Sequence, residues 1–543
     1  MSKQAASRRR TSPAGAALAA VAVFAGTLAG CTPSVGKATP PPTVAPSPNT
    51  ETAPEGFERY YQQEVVFSPC QADQVTAELV SPPKDIENYQ CAVLEAPLDW
   101  DDPQSESIEL AVAVYGSGDE ALFYNLGGPG GDAIESLSTF VGQLVPAAVL
   151  DAYQVVALDP RGVGESTPVR CWDDATRDQM NAGFIGDEQV PGADGDASPE
   201  EIIAAYRQES ATTAQACLEK SGEIVKYVDT DSAARDFDMA RAALGHQKLN
   251  FLGYSYGTAL GAVYADLFPD RVGRMVLDGA LDPAVNANTL TALQAAGMQE
   301  ALDHWIEDCL GSSGCPLSGD METAHQQLND FFADLAEAPL ATDQPGRELT
   351  ETLARTGVVG SLYSPQTYSL LTMALQLAMQ AGDGATLLFL ADYYNGRNED
   401  GTYSGQTDAF TAINSLDMLP VGTEEEWIAQ ADQLATDHPV LGSQFGFASA
   451  TLEGWPFAAA RPRGPVTAAG SPEILIIGTL HDPATPYVMA QSLADALENG
   501  VLVTYDGWGH GAYRDGGNAC IVETVDQFLI DGTVPEDGVT CDD

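Results

Sequence analysis

Residues 249–257 read Leu-Asn-Phe-Leu-Gly-Tyr-Ser-Tyr-Gly, an apolar run that ends in the pattern Gly-x-Ser-x-Gly around Ser255. Residues 258–264 follow with apolar side chains at helical spacing, up to a stop near Pro269. A strand, a tight turn and a helix in this order form the nucleophile elbow, whose glycines leave room for a strained turn that exposes the serine hydroxyl. Because the chain has 52 glycines among 543 residues, the pentapeptide alone is a weak signal, and the prediction depends on what flanks it.

Strand-like apolar runs alternate with helical segments on both sides of the elbow. These runs occupy residues 121–124, 153–158, 274–277, 474–477 and 501–505. Continuous apolar runs of this length are typical of parallel strands that are buried on both faces and joined by crossover helices. We therefore predict an α/β fold with a doubly wound, mostly parallel sheet, opened by an antiparallel pair at residues 91–94 and 108–114.

The interval of residues 286–470 interrupts this alternation after the sixth core strand. It is mainly helical in composition, for example at residues 369–381 and 385–394. Ligands bind at the carboxyl edge of such a sheet, and a connection inserted there lies over them, so we expect a large helical cap above the site. The core is then expected in two parts, residues 56–285 and 471–543.

Residues 1–30 have the pattern of an export signal, with a basic start and an apolar run at residues 14–28. Residues 28–31, Leu-Ala-Gly-Cys, resemble the bacterial lipobox, in which the cysteine is acylated; the alternative is an ordinary cleavage site that precedes a cysteine. Residues 31–55 are rich in Pro, Thr and Ser and are predicted to form a disordered stalk. The expected location is the outer face of the cell membrane, through a lipid on Cys31, or the medium after release.

The charge balance is strongly acidic, since 78 Asp and Glu residues against 24 Lys and Arg residues give a formal net charge of −54. Such a chain repels a polyanion, which excludes nucleic acid as a partner. Apart from Cys31, the chain has eight cysteines, and an even number in an exported protein indicates disulfides. No Cys or His spacing matches a zinc site, so no metal is expected. Proximity in sequence suggests the pairs Cys70–Cys91, Cys171–Cys217, Cys309–Cys315 and Cys520–Cys541.

An elbow serine needs a base and an orienting acid, which follow it in the order acid, then histidine. His510 lies in Gly-Trp-Gly-His-Gly directly after the last apolar run, where a loop returns over the strand ends. Asp482 follows the preceding apolar run, and Pro483 keeps its backbone extended. The 28 residues from Asp482 to His510 leave room for one helix and one strand. We therefore prefer Asp482 to Asp282, and His510 to His481, which adjoins the acid.

Residues 125–131, Asn-Leu-Gly-Gly-Pro-Gly-Gly, follow a core strand at the point where an elbow enzyme recruits a backbone donor for an oxyanion. We expect the amides of Gly128 and Tyr256 to form the oxyanion hole. The glycine spacing matches neither phosphate-binding pattern, so no nucleotide cofactor is expected. Asp159 and Arg161, after the next strand, are interpreted as braces of the site and not as reacting groups.

The chain carries five short motifs in a characteristic order: Gly-Gly-Pro-Gly at 127–130, Asp-Pro-Arg-Gly at 159–162, Gly-Tyr-Ser-Tyr-Gly at 253–257, Asp-Pro-Ala-Thr-Pro at 482–486 and Gly-His-Gly at 509–511. With these motifs it resembles the tripeptidyl aminopeptidase branch of the prolyl-iminopeptidase-like serine peptidases, which have the α/β-hydrolase fold. The resemblance implies a triad of Ser255, Asp482 and His510 that works without a cofactor. It also implies that short peptides, often tripeptides, are released from the free N-termini of peptides or proteins.

Two positions depart from the related patterns. Leu126 stands where prolyl iminopeptidases usually have His, which favours the tripeptidyl branch, and Ser415 stands where a similar cap segment commonly has Cys. Two other functions are compatible with the sequence: a cell-envelope esterase or lipase with the same triad, and a non-enzymatic surface lipoprotein. Every triad position is filled, which argues against the second of these.

Overall fold

The computed structural model describes residues 53–77, 80–185, 188–189 and 197–542 of the chain. The predicted export signal at residues 1–30, the lipidation site Cys31 and almost all of the predicted stalk at residues 31–55 lie outside this part. Within it, no helix combines the length and the apolarity that crossing a bilayer requires.

A ten-stranded sheet forms the centre of the described protein. Its strands are β1 Ser68–Pro69, β2 Tyr89–Pro97, β3 Ser107–Tyr115, β4 Glu120–Asn125, β5 Tyr153–Leu158, β6 Leu249–Tyr254, β7 Val272–Asp278, β8 Ile474–His481, β9 Gly500–Trp508 and β10 Val539–Asp542. Their order across the sheet is β1-β2-β3-β5-β4-β6-β7-β8-β9-β10. The first three pairings are antiparallel and all others are parallel, which confirms the predicted sheet and its opening antiparallel pair. Two short ribbons pair Phe184–Ile185 with Glu188–Gln189 and Leu340–Ala341 with Glu348–Leu349.

The helices cover both faces of this sheet and its carboxyl edge. They are α1 Glu58–Tyr61, α2 Leu137–Thr139, α3 Ala147–Ala152, α4 Asp174–Asn181, α5 Pro199–Ser221, α6 Thr230–Ala243, α7 Tyr256–Leu267, α8 Ala287–Leu310, α9 Met321–Glu337, α10 Glu351–Ser361, α11 Tyr368–Gln376, α12 Ala385–Tyr394, α13 Gln406–Asp417, α14 Glu424–Asp437, α15 Ala448–Gly454, α16 Val488–Ala496 and α17 Ala519–Asp531.

Burial on both faces explains why the core strands read as continuous apolar runs. Successive side chains of a strand point to opposite faces of the sheet. Phe251 of β6 therefore lies in the apolar layer that includes α6 and α7, and Leu252 lies in the layer on the other face, with α3 and α17. Phe123 and Tyr124 of β4 alternate in the same way. Because helices exclude water from both sides, neither set of positions tolerates charge.

Helices α8 to α15 lie between β7 and β8, inside the interval predicted to be a cap. They enclose an apolar core of their own, in which Trp305 and Phe332 are fully buried. Helix α5, inserted between β5 and β6, also contributes to this layer, because its Ile203 packs with Trp427 of α14 and Ala450 of α15. No sequence pattern indicated that this earlier helix joins the cap.

The structure joins the eight cysteines in the four predicted pairs. Each bond ties a loop or a peripheral strand to its neighbour: Cys70–Cys91 joins the residue after β1 to β2, Cys171–Cys217 joins the loop after β5 to α5, Cys309–Cys315 closes the turn after α8, and Cys520–Cys541 joins α17 to β10.

Candidate active site

Ser255 occupies the turn between β6 and α7 in a backbone conformation that serine rarely adopts. Its φ is 55° and its ψ is −125°, a strained conformation that costs about 1–3 kcal/mol and that the surrounding structure must hold. The Ser255 amide donates to the carbonyl oxygen of Asp278, at the end of β7, over 3.0 Å. On the other side of the turn, a Cβ on Gly257 would lie 2.4 Å from the carbonyl oxygen of Asn125. The sequence pattern therefore forms the elbow that its flanking residues predict.

Asp482 and His510 meet at the ends of β8 and β9, two strands that follow β6 and β7 along the same edge. His510 Nδ1 lies 2.9 Å from Asp482 Oδ1 and 3.0 Å from Asp482 Oδ2. Asp482 is 2% exposed, and its Oδ1 also accepts the amides of Ala484 and Thr485. Since the carboxylate accepts the Nδ1 proton, the other ring nitrogen of His510 is left as the base.

The histidine ring lies beside the strand that holds the elbow. A Cβ on Gly279, the residue after β7, would lie 3.2 Å from His510 Cε1. The preceding residue, Asp278, binds the Ser255 amide through its main chain. The structure thus brings Ser255, Asp482 and His510 to one edge of the sheet.

The two rival residues have other partners. Asp282 accepts the amide of Ala284 and the hydroxyl of Ser492, and makes no hydrogen bond to His510 among the described residues. His481 lies 2.8 Å from Glu300 and stacks on the ring of Trp508. The geometry therefore favours the acid and the base preferred from the sequence.

The charge of the base depends on its neighbours. Burial lowers the pKa of His510, but the charge and the hydrogen bond of Asp482, together with the charge of Asp278, outweigh this effect, so the pKa of His510 lies above its usual value. Burial raises the pKa of Asp278 to about 6, although the amides of Tyr513 and Ala512 favour its charged form. The carboxylates of Asp482 and Asp278 therefore both favour the protonated form of His510.

The glycine loop after β4 touches the nucleophile directly. A Cβ on Gly127 would lie 2.8 Å from the Cβ of Ser255 and 3.1 Å from the amide nitrogen of Tyr256. Tyr256 is the first residue of α7, so its N–H has no acceptor within the helix and points its partial positive charge outward. The predicted donor Gly128 is the next residue of this loop, with a φ of 104°. The loop and the helix start therefore flank the serine, as an oxyanion hole requires.

Asp159 and Arg161 brace the loops around the site. Arg161 is fully buried and binds both carboxylate oxygens of Asp236 at 2.7 Å. Asp159 accepts the amides of Ala133 and Ile134, which follow the glycine loop. Both contacts are those of supporting residues, as the sequence interpretation holds.

A cavity of about 850 Å³ extends from the glycine loop to the cap. Gly127 and Gly128 line its floor, and the end of α12 and the segment before α13 line its roof. Its ionisable lining residues are five acids and two bases: Asp132, Glu135, Asp392, Glu399, Asp400, Arg347 and Arg397. Both arginines form ion pairs with Asp178, and Arg347 binds Asp392 as well. The cavity is therefore electronegative and adjoins Ser255 through Gly127. No group of three potential metal ligands occurs in the described part of the chain.

Three residues that support the triad were not identified from the sequence. The Thr485 hydroxyl lies 3.2 Å from both Asp482 Oδ2 and His510 Nδ1. The Asp278 carboxylate accepts the amides of residues 512 and 513 and so holds the loop that carries His510. Tyr363, from the cap, accepts the His510 amide over 2.8 Å with its carbonyl oxygen. The end of a strand beside the elbow was a signal for Asp278, but no pattern marked Tyr363.

Comparison with known proteins gives the same α/β-hydrolase fold, and the similar proteins of named activity are hydrolases. Residues 121–516 match the family model described as "alpha/beta hydrolase fold". The serine protease Hip1 of Mycobacterium tuberculosis is 34% identical over 496 residues, which cover 88% of this chain and 91% of that protein. Carboxylesterase B of the same organism is 34% identical over 484 residues, with the same coverage. The tripeptidyl aminopeptidase of Streptomyces lividans is 30% identical over 466 residues, or 83% of each chain.

Proposed function

The chain belongs to the α/β-hydrolase fold family and is a serine peptidase, and we propose that it releases short peptides, tripeptides in particular, from free N-termini through an acyl-enzyme on Ser255. The preference for short peptides with a free N-terminus is the proposal. It is supported by the electronegative cavity beside the nucleophile and by the similarity to a tripeptidyl aminopeptidase.

The proposed reaction is an acyl transfer in two steps. His510 accepts the proton of the Ser255 hydroxyl as its oxygen attacks the scissile carbonyl carbon, while Asp482 stabilises the imidazolium. The amides of Gly128 and Tyr256 bind the oxyanion, and one such donor is worth about 3–4 kcal/mol of the barrier. His510 then gives its proton to the leaving amine, which departs as the new N-terminus. Water, deprotonated by His510, hydrolyses the ester and restores Ser255.

The cavity is the observation that carries the preference for a free N-terminus. An ammonium group gains from nearby carboxylates most strongly where the walls exclude water, and four carboxylates line this cavity besides Asp392, which already pairs with Arg347. Its volume lies within the range of sites that enclose a whole small ligand. A blocked N-terminus would lose the ammonium charge and add bulk at the same place.

A panel of chromogenic peptides tests the proposal. Di-, tri- and tetrapeptides, each free and N-acetylated, would be assayed with wild type and with Ser255→Ala as the control. We expect the free tripeptide to have the highest kcat/KM, acetylation to lower it at least a hundredfold, and Ser255→Ala to abolish turnover. Equal turnover of free and acetylated peptides would contradict the exopeptidase and leave the hydrolase. Turnover of p-nitrophenyl esters without any peptide would favour the esterase alternative, which the similarity to Carboxylesterase B keeps open.

We also propose that a lipid on Cys31 anchors the protein to the outer face of the cell membrane. The support is the segment Leu-Ala-Gly-Cys at residues 28–31, after an apolar run. Cells grown with an alkyne fatty acid should label the wild-type protein in the membrane fraction. Cys31→Ala should lose the label and appear in the medium, whereas a labelled Cys31→Ala protein would contradict the anchor.

A further inference from the structure

Helix α13 of the cap contacts the glycine loop on one side of the oxyanion hole and is linked through Thr230 to Tyr256 on the other. Near its start, a Cβ on Gly130 of the glycine loop would lie 2.7 Å from the carbonyl oxygen of Gln406 and 3.1 Å from the Cβ of Ala409. Its last residue, Asp417, reaches towards Tyr256 on the other side of the site. One element of the cap thus packs on the loop that supplies one donor and is linked to the residue that supplies the other.

The link from Asp417 to Tyr256 is a short chain of hydrogen bonds through Thr230, the first residue of α6. The Thr230 amide donates to Asp417 Oδ1 over 2.8 Å, and the Thr230 hydroxyl donates to Asp417 Oδ2 over 2.5 Å. The hydroxyls of Thr230 and Tyr256 are 2.6 Å apart. Since a carboxylate only accepts, it takes the single hydroxyl proton of Thr230, and the Tyr256 hydroxyl must then donate to Thr230.

The hydrogen bonds from Asp417 through Thr230 to Tyr256 are buried from solvent and lie beside the buried guanidinium of Arg463. Asp417 and Thr230 are each 1% exposed, and Tyr256 is 3% exposed. The Asp417 carbonyl oxygen accepts the Arg463 amide over 2.9 Å. The Arg463 guanidinium favours the charged form of Asp417, although burial raises the pKa of that carboxyl to about 6. Buried hydrogen bonds of this kind are directional and hold their members in one arrangement.

The start of α7 needs such support. Tyr256 follows the strained Ser255, and no side chain caps the first turn of this helix. The Ser255 carbonyl, in the same planar peptide unit as the Tyr256 amide, accepts the amide and the hydroxyl of Thr258, which orients this peptide from the Ser255 side. The hydrogen-bonded Tyr256 side chain holds the other end of this peptide, at the Tyr256 Cα. A displacement of about 1 Å at such a donor costs up to about a hundredfold in rate, so both supports matter.

We propose that Asp417 and Thr230 are positioning residues that hold Tyr256 through its hydroxyl, so that helix α13 sets the geometry of both oxyanion donors. The cap is then part of the catalytic geometry as well as the roof of the cavity. This inference rests on the proposed acyl-enzyme on Ser255, because it assigns the Tyr256 amide to the oxyanion.

The rate at which a fluorophosphonate labels Ser255 tests the inference without a known substrate. Tyr256→Phe, Thr230→Val and Asp417→Asn should each lower the labelling rate and the kcat on the free tripeptide about tenfold, the worth of one hydrogen bond, with KM within twofold of wild type. Thr230→Ser keeps the hydroxyl and should keep the rate. Because the residues act in one chain, the double variant Tyr256→Phe/Asp417→Asn should lose little more than either single variant.

Tyr264→Phe is the matched control, since Tyr264 also lies on α7 and its buried hydroxyl also binds a carboxylate, that of Asp238, at 3.3 Å. It should leave the labelling rate unchanged. A Tyr256→Phe enzyme that labels as fast as Tyr264→Phe would overturn the inference, even if its Tm were lower. If Asp417→Asn does not fold, Tyr256→Phe and Thr230→Val decide the result. Failure of wild-type Ser255 to label at all would instead overturn the proposed function.

Discussion

Gly127→Ala is the substitution that probes the contact between the glycine loop and the nucleophile most directly. Gly127 has a φ of 97°, and an added Cβ would lie 2.7 Å from the Tyr254 carbonyl oxygen and 2.8 Å from the Ser255 Cβ. Neither neighbour is the flexible end of a side chain. The loop or the elbow must therefore move to accept a methyl group.

Two costs add in this variant. The left-handed backbone costs alanine about 1–2 kcal/mol, and the overpacked contact adds about 1–3 kcal/mol, so the free energy of unfolding should fall by about 2–5 kcal/mol. Displacing the nucleophile or its oxyanion donor by up to about 1 Å should lower kcat/KM about a hundredfold. The loss of activity should thus be large in enzyme that still folds.

Gly382→Ala separates the two costs, because Gly382 has a φ of 67° and no atom within 4 Å of an added Cβ. It should lower the free energy of unfolding by about 1–2 kcal/mol and leave kcat/KM unchanged. Urea unfolding and kcat/KM on the free tripeptide would be measured for both variants. A Gly127→Ala enzyme with wild-type kcat/KM would refute the assignment of this loop to the oxyanion hole.

Three further outcomes are expected. Thr485→Val should lower kcat about tenfold and Thr485→Ser should retain it, as steady-state kinetics at equal Tm would show, because the hydroxyl contacts both Asp482 and His510. Because His510 must be neutral to act as the base, kcat/KM should rise with pH as His510 loses its proton, at a pH above the usual histidine pKa of about 6.5. The Asp278 charge helps to raise the pKa of His510, so Asp278→Asn should move this rise to lower pH in a pH–rate profile. Replacing Cys171 and Cys217 by alanine removes a disulfide that closes a loop of 46 residues. The free energy of unfolding, measured by calorimetry, should fall by about 4 kcal/mol, with little change in kcat.

The core strands, and the meeting of Asp482 with His510, could be predicted because their signals are local and ordered. A strand buried on both faces must be apolar at every position, so β8 and β9 were visible as the runs 474–477 and 501–505, with their ends extended in the structure to 481 and 508. Residues that follow such strands lie at one edge, which brings Asp482 and His510 together without any knowledge of the loops. The order of Asp482 and His510 along the chain was therefore enough to predict that they meet, as their hydrogen bond shows.

The supporting residues depend on contacts between distant segments, for which the sequence has no periodic signal. Tyr363 reaches His510 from the cap, 147 positions earlier in the chain, and Thr230 meets Asp417 across 187 positions. A tyrosine or a threonine at a helix end fits many environments equally well. Helix α5 posed the same difficulty, because its composition does not show that it packs on α14 and α15.

Burial gives Asp417 a pH-dependent cost in stability. Burial raises its pKa from 3.8 to about 6, so the folded protein holds a proton that the unfolded chain releases between about pH 4 and pH 6. Stability therefore falls as the pH rises through this window and remains about 3 kcal/mol lower above it. The carboxylate accepts both donors of Thr230, and its removal would leave those donors and the nearby Arg463 guanidinium without that partner. The end of α13 is thus held by hydrogen bonds that continue through Thr230 to Tyr256, the residue beside the nucleophile.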